Sequence, residues 1–378
     1  MFAGSVVCTA LPYPYLGVRR VQPLWTQALR TPASLASASV RGRFRFRDLL
    51  GGWIRMDCFG DCLSSAGIPH SINPGGHSAV RRPGVRMTQF FQQMVNGLSI
   101  GSVYALMAVG YSLVYSIMNF SNFAHGGVIM LGAYFGFYSM TALKLPFLAA
   151  FALASLGTAA LAILIERVAY RPLRIRKAPF LYFIISAMGA SIFLENIVIA
   201  TIGPTFRTYP EVFSRSPLSL WGLSIGRLDL IMFGVSAVCL SGLVAFIELT
   251  RTGKAIRAAS YNMKAAALMG VNTDRVVMTV FGLGGFLAGV AGVFFGMKYT
   301  VYPQIGVITL KSFIAAVFGG LGSLPGAVLG SVILGTLETY VAGYLSSQFR
   351  DLIAFVILIG VLVFRPTGIM GKPSEDKA

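Results

Sequence analysis

Apolar windows of roughly 20 residues with few or no charges recur along most of this chain. A helix of that length crosses the hydrocarbon core of a membrane and satisfies its own backbone hydrogen bonds, as lipid requires. The pattern therefore predicts an all-α integral membrane protein, a polytopic helix bundle of about eight or nine spans. The windows cover residues 94–118, 121–143, 146–165, 180–203, 229–247, 276–297, 324–345 and 351–364.

Two of these windows are interrupted by polar and glycine-rich sequence, "NFAHGGVIMLGAYFG" near the start and "FGGLGSLPGAVLGSVILG" near the end. Interrupted helices at corresponding positions of two halves are typical of an inverted repeat with a translocation path between the repeats. Glycines at small-xxx-small spacing also let helices pack closely, and both roles can hold at once. We expect broken helices at both places, with path-lining residues at Asn122, His125, Gly126, Gly127, Gly320 and Gly322.

The distribution of Lys and Arg predicts which loops face the cytoplasm, because short basic loops stay on that side. Loops 166–179 and 251–275 and the C-terminal tail give thirteen basic residues inside, against seven outside that include Lys311. The tail reaches the cytoplasm if the apolar stretch 307–345 crosses twice, through a helix broken at "GGLGSLPG". Because residues 116–135 can be broken in the same way, the sequence leaves eight and nine spans both open.

The composition excludes a soluble globular protein, since 55% of the 378 residues are hydrophobic, 12% are charged and the mean hydropathy is +0.72. The net charge of +18 is unevenly spread, because residues 1–86 hold eleven arginines and no lysine. This leading segment fits a disordered basic tail, an organelle transit peptide, or upstream DNA translated from a start assigned too early. We favour the early start, and expect a transmembrane domain over residues 87–378 and no nucleic-acid partner.

Motifs for catalysis and metal binding are weak in this sequence. Two cysteines and two histidines within residues 58–77 fit no standard zinc spacing. The sequence "GLSIG", at 97–101 and 222–226, matches the G-x-S-x-G of hydrolases, but neither copy follows a strand pattern, so we interpret both as chance. No G-x-x-x-x-G-K-[ST] loop for ATP occurs. We therefore expect no enzyme, no metal and no cofactor bound by this chain.

Ionisable residues inside the apolar windows are few, and each costs roughly 2.5–3.5 kcal/mol to place there on insertion scales. They are Glu195, Glu338 and His125. A proton relay would need several such groups in series, which this chain does not offer. We expect these residues to hydrogen-bond helix breaks or to line a polar cavity, and add Glu195 and Glu338 to the candidate path residues.

The stretch "RTGKAIRAASYNMKAAALMGVNTDRV", Arg251 to Val276, is the longest hydrophilic segment on the predicted cytoplasmic side. Its alanines and scattered apolar residues predict short helices with small-residue faces, and Gly270 is a typical helix end. A helix of this kind fits a groove on another protein. A plain connector between two spans is the alternative.

Four motifs in this order carry a resemblance to a known family. They are "NGLSIGSVYALMAVGYSLVYSIMNFSNFAHGGVIMLGAY", "TGKAIRAASYNMKAAALMGVNTDRV", "KSFIAAVFGGLGSLPGAVLGSVILGTLE" and "AFVILIGVLVFRPTGIMG". From Met87 onward the chain resembles the permease subunits of ABC importers for branched-chain amino acids. The larger group also includes urea, amide and some sugar permeases.

The resemblance implies that residues 251–275 form the coupling loop that docks on an ATPase subunit. Lys264 stands where the family usually has Glu. A salt bridge made by that acidic residue is therefore not expected in this chain, whereas docking on the ATPase depends mainly on shape and is still expected. The coupling residues that the resemblance implies are Gly253, Arg257, Asn262, Ala265, Ala266 and Gly270.

The resemblance also implies the partners and the mechanism. They are a second permease subunit, two cytoplasmic ATPases that bind the ATP, and a periplasmic binding protein, all serving alternating access across a bacterial inner membrane. Two other functions stay open on the sequence: a urea or short-chain amide permease of the same class, and an ion-coupled secondary transporter. The scarcity of intramembrane carboxylates counts against the secondary transporter.

Overall fold

The computed structural model describes residues 83–213, 217–220, 223–365 and 367–371, and it is predominantly helical. The helices are α1 (Pro83–Met118), α2 (His125–Thr141), α3 (Phe147–Ile165), α4 (Arg171–Ile175), α5 (Phe180–Ile202), α6 (Arg227–Leu249), α7 (Arg251–Tyr261), α8 (Met263–Leu268), α9 (Thr273–Lys298), α10 (Thr309–Gly319), α11 (Leu324–Tyr344) and α12 (Phe349–Phe364). A π-helical turn (Glu166–Tyr170) joins α3 to α4, and a 3₁₀ segment (Pro303–Ile308) leads into α10.

An antiparallel hairpin of β1 (Leu218–Leu220) and β2 (Leu223–Ile225) precedes α6, with Leu218 opposite Ile225. The predicted all-α bundle is confirmed as predominantly helical, with this hairpin added. Residues 1–82, which hold nearly all of the leading segment and its cysteines and histidines, lie outside the described residues. The predictions made for that segment therefore stay predictions, and α1 begins at Pro83, four residues before Met87.

Six helical segments in the described part of the chain are long and apolar enough to cross a membrane. They are Met87–Met118, Phe147–Ile175, Phe180–Ile202, Arg227–Leu249, Thr273–Lys298 and Leu324–Tyr344. A shorter apolar helical stretch covers Pro303–Gly319, while α2 and α12 have 17 and 16 residues. The chain is thus a multi-pass membrane protein, as the sequence predicted.

Helix α9 lies between α1, α2 and α3, and its glycines permit this arrangement. A Cβ atom added to Gly284 would lie 3.2 Å from the Gly110 carbonyl oxygen of α1. One added to Gly289 would lie 2.9 Å from Ser155 Cα of α3, and one on Gly292 would overlap the backbone of α2. Backbones approach this closely only where the side chain is missing. The packing role that small-xxx-small spacing predicted is therefore confirmed for Gly289 and Gly292, and Gly284 packs in the same way.

The first "GLSIG" sequence is also a helix-packing element. Gly101 of α1 faces Gly335 of α11 so closely that a Cβ on Gly335 would lie 2.5 Å from Gly101 Cα. The serine between the glycines, Ser99, donates a hydrogen bond of 2.8 Å to the Asp229 carboxylate on α6. This copy is helical throughout, so it has no strand-to-helix elbow, in agreement with the interpretation of a chance match.

Ion pairs mark the two ends of the bundle. At one end Arg174 lies 2.9 Å from Glu166 and 3.0 Å from Asp274 in the first turn of α9, so residues 166–175 and the α7–α8 segment share this end. At the other end Lys298 lies 2.5 Å from Asp229, where α9 finishes and α6 begins. The first end is the one predicted to face the cytoplasm, because it gathers the basic loops. It is called the inner end below, and the opposite one the outer end.

Candidate translocation site

The first glycine-rich window contains a true break between two helices. Helix α1 ends at Met118, Asn119 takes a left-handed backbone conformation with φ of 53°, and α2 begins at His125. Within the break, the Asn122 side-chain oxygen accepts a hydrogen bond of 2.7 Å from the Tyr170 hydroxyl, and both groups are buried. Residues 119–124 thus connect two separate helices, and the prediction that one spanning helix is broken here stays a prediction.

His125 stands at the start of α2 and is 3% exposed. Its ring is hydrogen-bonded to the backbone of Met107, while its Nε2 atom has no partner among the described residues. His125 and Asn122 line one small cavity of about 10 Å³, which they share with Gly284 and Gly285 of α9. That volume is close to the minimum that one water molecule needs. The two residues thus face a single common space.

Gly126 and Gly127 lie at close helix contacts. A Cβ on Gly126 would lie 2.7 Å from the Gly306 carbonyl oxygen of the 3₁₀ segment, and one on Gly127 would lie 2.9 Å from Cδ1 of Leu194 on α5. Both positions need a residue without a side chain for this packing. Their part in a translocation path stays a prediction.

The second break separates α10 from α11, and two of its glycines have left-handed backbones, Gly320 with φ of 112° and Gly322 with φ of 84°. The chain after α12 returns to this place. The Ile369 amide donates to the Phe318 carbonyl across 3.0 Å, and the Met370 amide donates to the Gly319 carbonyl across 2.9 Å. A Cβ on Gly320 would overlap this returning segment. Gly320 is thus covered by the last described residues.

The two breaks lie next to each other at the inner end. The Gly322 amide donates a hydrogen bond of 3.0 Å to the Ser112 hydroxyl, and a Cβ on Gly322 would lie 3.8 Å from Ser116 Cα in the last turn of α1. A larger cavity of about 450 Å³ opens beside them, between α1, α6, α7 and the start of α11. Of the predicted path residues, Gly322 lines this cavity, whereas Asn122 and His125 line the smaller one.

Glu195 has a different environment. It lies in α5, whose buried residues are Phe183, Ala187, Leu194 and Val198, so most of this helix faces outward. The Glu195 side chain is half-buried and forms no hydrogen bond or ion pair with the described residues. An unpaired carboxylate within an apolar helix needs a polar neighbour, because charge is costly in lipid.

Glu338 is paired, and its partner is a residue that the sequence placed elsewhere. Its carboxylate accepts a hydrogen bond of 3.0 Å from Tyr104 and lies 3.2 Å from Lys311 Nζ, which also lies 2.7 Å from Asp351. The sequence counted Lys311 with the outer loops, but it belongs to the first turn of α10, where 20% of its side chain is exposed. In the sequence, Lys311 stands inside the apolar stretch 307–345, and a lysine at such a position indicates that a buried acidic residue pairs with it.

The α7–α8 segment is helical, as predicted, and its connections are tightly defined. A Cβ atom on Gly253 would overlap the backbone at the end of α6, so only glycine fits there. The Gly253 amide donates a hydrogen bond of 2.9 Å to the Thr250 hydroxyl, and Thr250 is the N-cap of α7. The Asn262 side chain caps α8 by accepting hydrogen bonds of 3.0 Å from the Lys264 and Ala265 amides. Gly253 and Asn262 therefore shape the segment.

The remaining predicted coupling residues divide by exposure. Ala265 is exposed, while Ala266 is buried against the bundle. Gly270 ends α8 in a left-handed conformation with φ of 84°. Arg257 lines the 450 Å³ cavity and donates to the Glu248 carbonyl across 3.5 Å.

Two apolar side chains of this segment, which the sequence prediction counted with its apolar faces but not with the coupling residues, are exposed. Leu268 and Met269 are 89% and 85% exposed. The buried Ala266 holds α8 in an orientation that turns these two outward. The sequence does not show which face of α8 is buried, so it could not show that these two side chains are exposed.

Comparison with known proteins agrees with the resemblance seen in the sequence. The family model described as "Branched-chain amino acid transport system / permease component" matches residues 93–362. The high-affinity branched-chain amino acid transport system permease protein BraD of Pseudomonas aeruginosa is 42% identical over 304 residues, which cover 76% of this chain and 98% of BraD.

Two further relatives have the same kind of name. LivH of Escherichia coli K12 is 41% identical over 302 residues, covering 76% of this chain and 97% of LivH. A LivH of Methanocaldococcus jannaschii is 30% identical over 289 residues, covering 71% of this chain and 89% of its own length. With this coverage and the matched helical span, the chain belongs to the family of branched-chain amino acid transport system permease components.

Proposed function

We propose that this chain is the membrane-spanning subunit of an ATP-driven importer for branched-chain amino acids in the bacterial inner membrane. Family membership supports the substrate class, and the long apolar helices support the location in a membrane. Its partners are a second permease subunit, two cytoplasmic ATPases that bind the ATP, and a periplasmic binding protein that delivers the amino acid. The chain itself performs no chemistry and translocates the substrate.

The observation that carries this proposal is the surface of the α7–α8 segment. Leu268 and Met269 present apolar side chains to water at the inner end, which is unfavourable unless another protein covers them. The segment is joined to the spans on both sides by short connections, in which Thr250 caps α7 directly after α6 and the Asn272 side chain caps α9. A force applied to α8 by an ATPase therefore reaches α6 and α9 directly.

The proposed topology has nine crossings, with α1 starting at the outer end and the last described residues, 367–371, at the inner end. The crossings are α1, α2, α3, α5, α6, α9, the 3₁₀ segment with α10, α11 and α12. This order agrees with the ion pairs that mark the two ends, Arg174 with Asp274 and Lys298 with Asp229. It also keeps the basic loops 166–179 and 251–275 in the cytoplasm.

Copurification tests the proposed assembly. The full chain, carrying a C-terminal tag and expressed with the neighbouring genes, is extracted in mild detergent, and its companions are identified by mass spectrometry. We expect two ATPases and a second permease. Leu268→Asp and Met269→Asp should each release the ATPases, because a charge would enter an apolar contact. Thr252→Asp, at an exposed position of α7, is the matched control and should retain them.

Two results would contradict the proposal. One is a chain that purifies without ATPases yet moves solute in vesicles without ATP, which would indicate a secondary transporter. The other is equal retention of the ATPases by all three variants, which would remove the docking role of Leu268 and Met269.

A further inference from the structure

The cavity of about 450 Å³ at the inner end combines an aliphatic wall with two opposite charges. Leu243 and Ile247 of α6 and Leu113 of α1 form much of the apolar wall. Glu248 and Arg257 also line the cavity. Its volume lies within the range of about 300–1,000 Å³ that small-molecule sites occupy.

The two charged side chains do not neutralise each other. The Arg257 guanidinium donates to the backbone carbonyl of Glu248 across 3.5 Å, and no ion pair joins the two side chains in the described part of the chain. Arginine has five N–H donors, so most of them stay available, and the Glu248 carboxylate keeps its acceptor sites. The cavity therefore offers separate places for a negative and a positive group.

We propose that this cavity is a transit site for the transported amino acid on its way into the cytoplasm. Arg257 pairs with the carboxylate of the substrate, Glu248 pairs with its ammonium group, and the Leu243–Ile247 wall contacts its aliphatic side chain. A zwitterion with a branched apolar side chain matches all three parts. The inference rests on the proposed function, and adds a site for the substrate within this subunit.

The wall of the cavity also links this site to the ATPases. Arg257 and Ser260 belong to α7, the helix that continues into the proposed docking surface of α8. Gly322 lines the opposite side and is fixed to α1 by its hydrogen bond to Ser112. A displacement of α7 by an ATPase would therefore move Arg257 relative to the opposite wall, and so change the affinity of the cavity for its ligand.

Protection of an introduced cysteine tests the site in the assembled importer. The complex is reconstituted with its binding protein, in a version of the chain whose native cysteines are replaced by alanine. Ser260→Cys then places a thiol in the cavity, and Thr252→Cys places one on the same helix outside it, both at exposed positions. Labelling by N-ethylmaleimide is followed during ATP turnover with and without leucine, and leucine import is measured on the same vesicles.

We expect leucine to slow the labelling of Ser260→Cys by about twofold at half occupancy, since labelling follows the free fraction of the site. Labelling of Thr252→Cys should not change. Adding Glu248→Gln or Arg257→Gln should abolish the protection, whereas the matched charge removal Lys254→Gln, outside the cavity, should retain it. These variants are compared at equal ATPase content, so that a loss of assembly is recognised.

The remaining outcomes overturn the inference in different ways. If leucine is imported but the labelling of Ser260→Cys does not respond to it, the transit site is wrong and the proposed function stands. If the labelling responds instead to the phosphatidylethanolamine content of the bilayer, the cavity holds a zwitterionic lipid. If leucine is neither imported nor protective, both the function and the site are wrong.

Discussion

The ammonium group of Lys311 lies 3.2 Å from the Glu338 carboxylate, inside a bundle of otherwise apolar helices. Because Tyr104 of α1 donates to the same carboxylate, one acidic group joins α1, α10 and α11. In a membrane this arrangement matters, because the buried Glu338 carboxylate without Lys311 would have neither water nor its counter-ion, whereas Lys311 also lies 2.7 Å from the exposed Asp351. The pair explains how Glu338 is accommodated in its helix, which the sequence left open.

We predict that removing one partner of this pair strongly destabilises the protein. Lys311→Met should cost about 3–5 kcal/mol, because it leaves the Glu338 charge buried without its cation. The double variant Lys311→Met with Glu338→Gln should recover most of the loss, since it removes both charges and keeps an acceptor for Tyr104. Thermal unfolding in detergent, followed by size-exclusion chromatography, measures both effects.

Glu195→Gln is the control for this prediction, because Glu195 is a carboxylate without a partner among the described residues. Its unfolding temperature should differ little from that of the unmodified protein. A double variant as unstable as Lys311→Met would show that packing, and not charge pairing, is lost.

The glycine contacts between helices predict that some glycines cannot be replaced by valine, whereas others can. Gly335→Val should prevent proper folding, because its side chain would enter the backbone of α1 at Gly101. Gly242→Val, in α6, meets no atom within 4 Å and should be tolerated. The yield of monodisperse protein after extraction measures the difference. Equal yields would contradict the α1–α11 contact.

Gly270 provides a test of the connection between α8 and α9. Its φ of 84° is costly for a β-branched residue, by roughly 1–2 kcal/mol, so Gly270→Val should tilt α8 and weaken ATPase binding. Gly270→Asn is the matched variant, because asparagine tolerates the left-handed conformation and should retain the ATPases. Pull-down of the ATPases measures both, and equal binding by the two variants would contradict a role for the backbone conformation.

Glu195 is predicted to face water in the assembled importer. Glu195→Cys should react with a charged, membrane-impermeant thiol reagent, since the unpaired carboxylate requires a polar neighbour at this position. Phe193→Cys is the control, because Phe193 is 63% exposed on the same apolar helix and should face lipid. Equal reactivity at both positions would remove Glu195 from the translocation path.

The sequence predicted helix positions well, because hydrophobic windows depend only on composition along the chain. The π-helical turn after α3 and the hairpin before α6 were not predicted, since both depend on local backbone geometry. The α7–α8 segment was predicted to be helical because alanine favours helices. The exposure of Leu268 and Met269 became clear only from the structure, in which Ala266 lies on the buried face of α8.

Contacts between distant residues could not be predicted. Lys311 and Glu338 are 27 positions apart and meet only because α10 and α11 fold back on each other. The two breaks meet in the same way, since the Gly322 amide reaches Ser112. The contact between the two breaks does not confirm the predicted inverted repeat, which stays a prediction.

ATP-dependent import is the most direct test of the central claim. The full chain with a second permease and two ATPases is reconstituted into vesicles, the binding protein and radiolabelled leucine are added at the outer face, and ATP is supplied at the ATPase face. We predict that leucine accumulates only when both ATP and the binding protein are present. Leucine uptake that needs an ion gradient but neither of these would contradict the account.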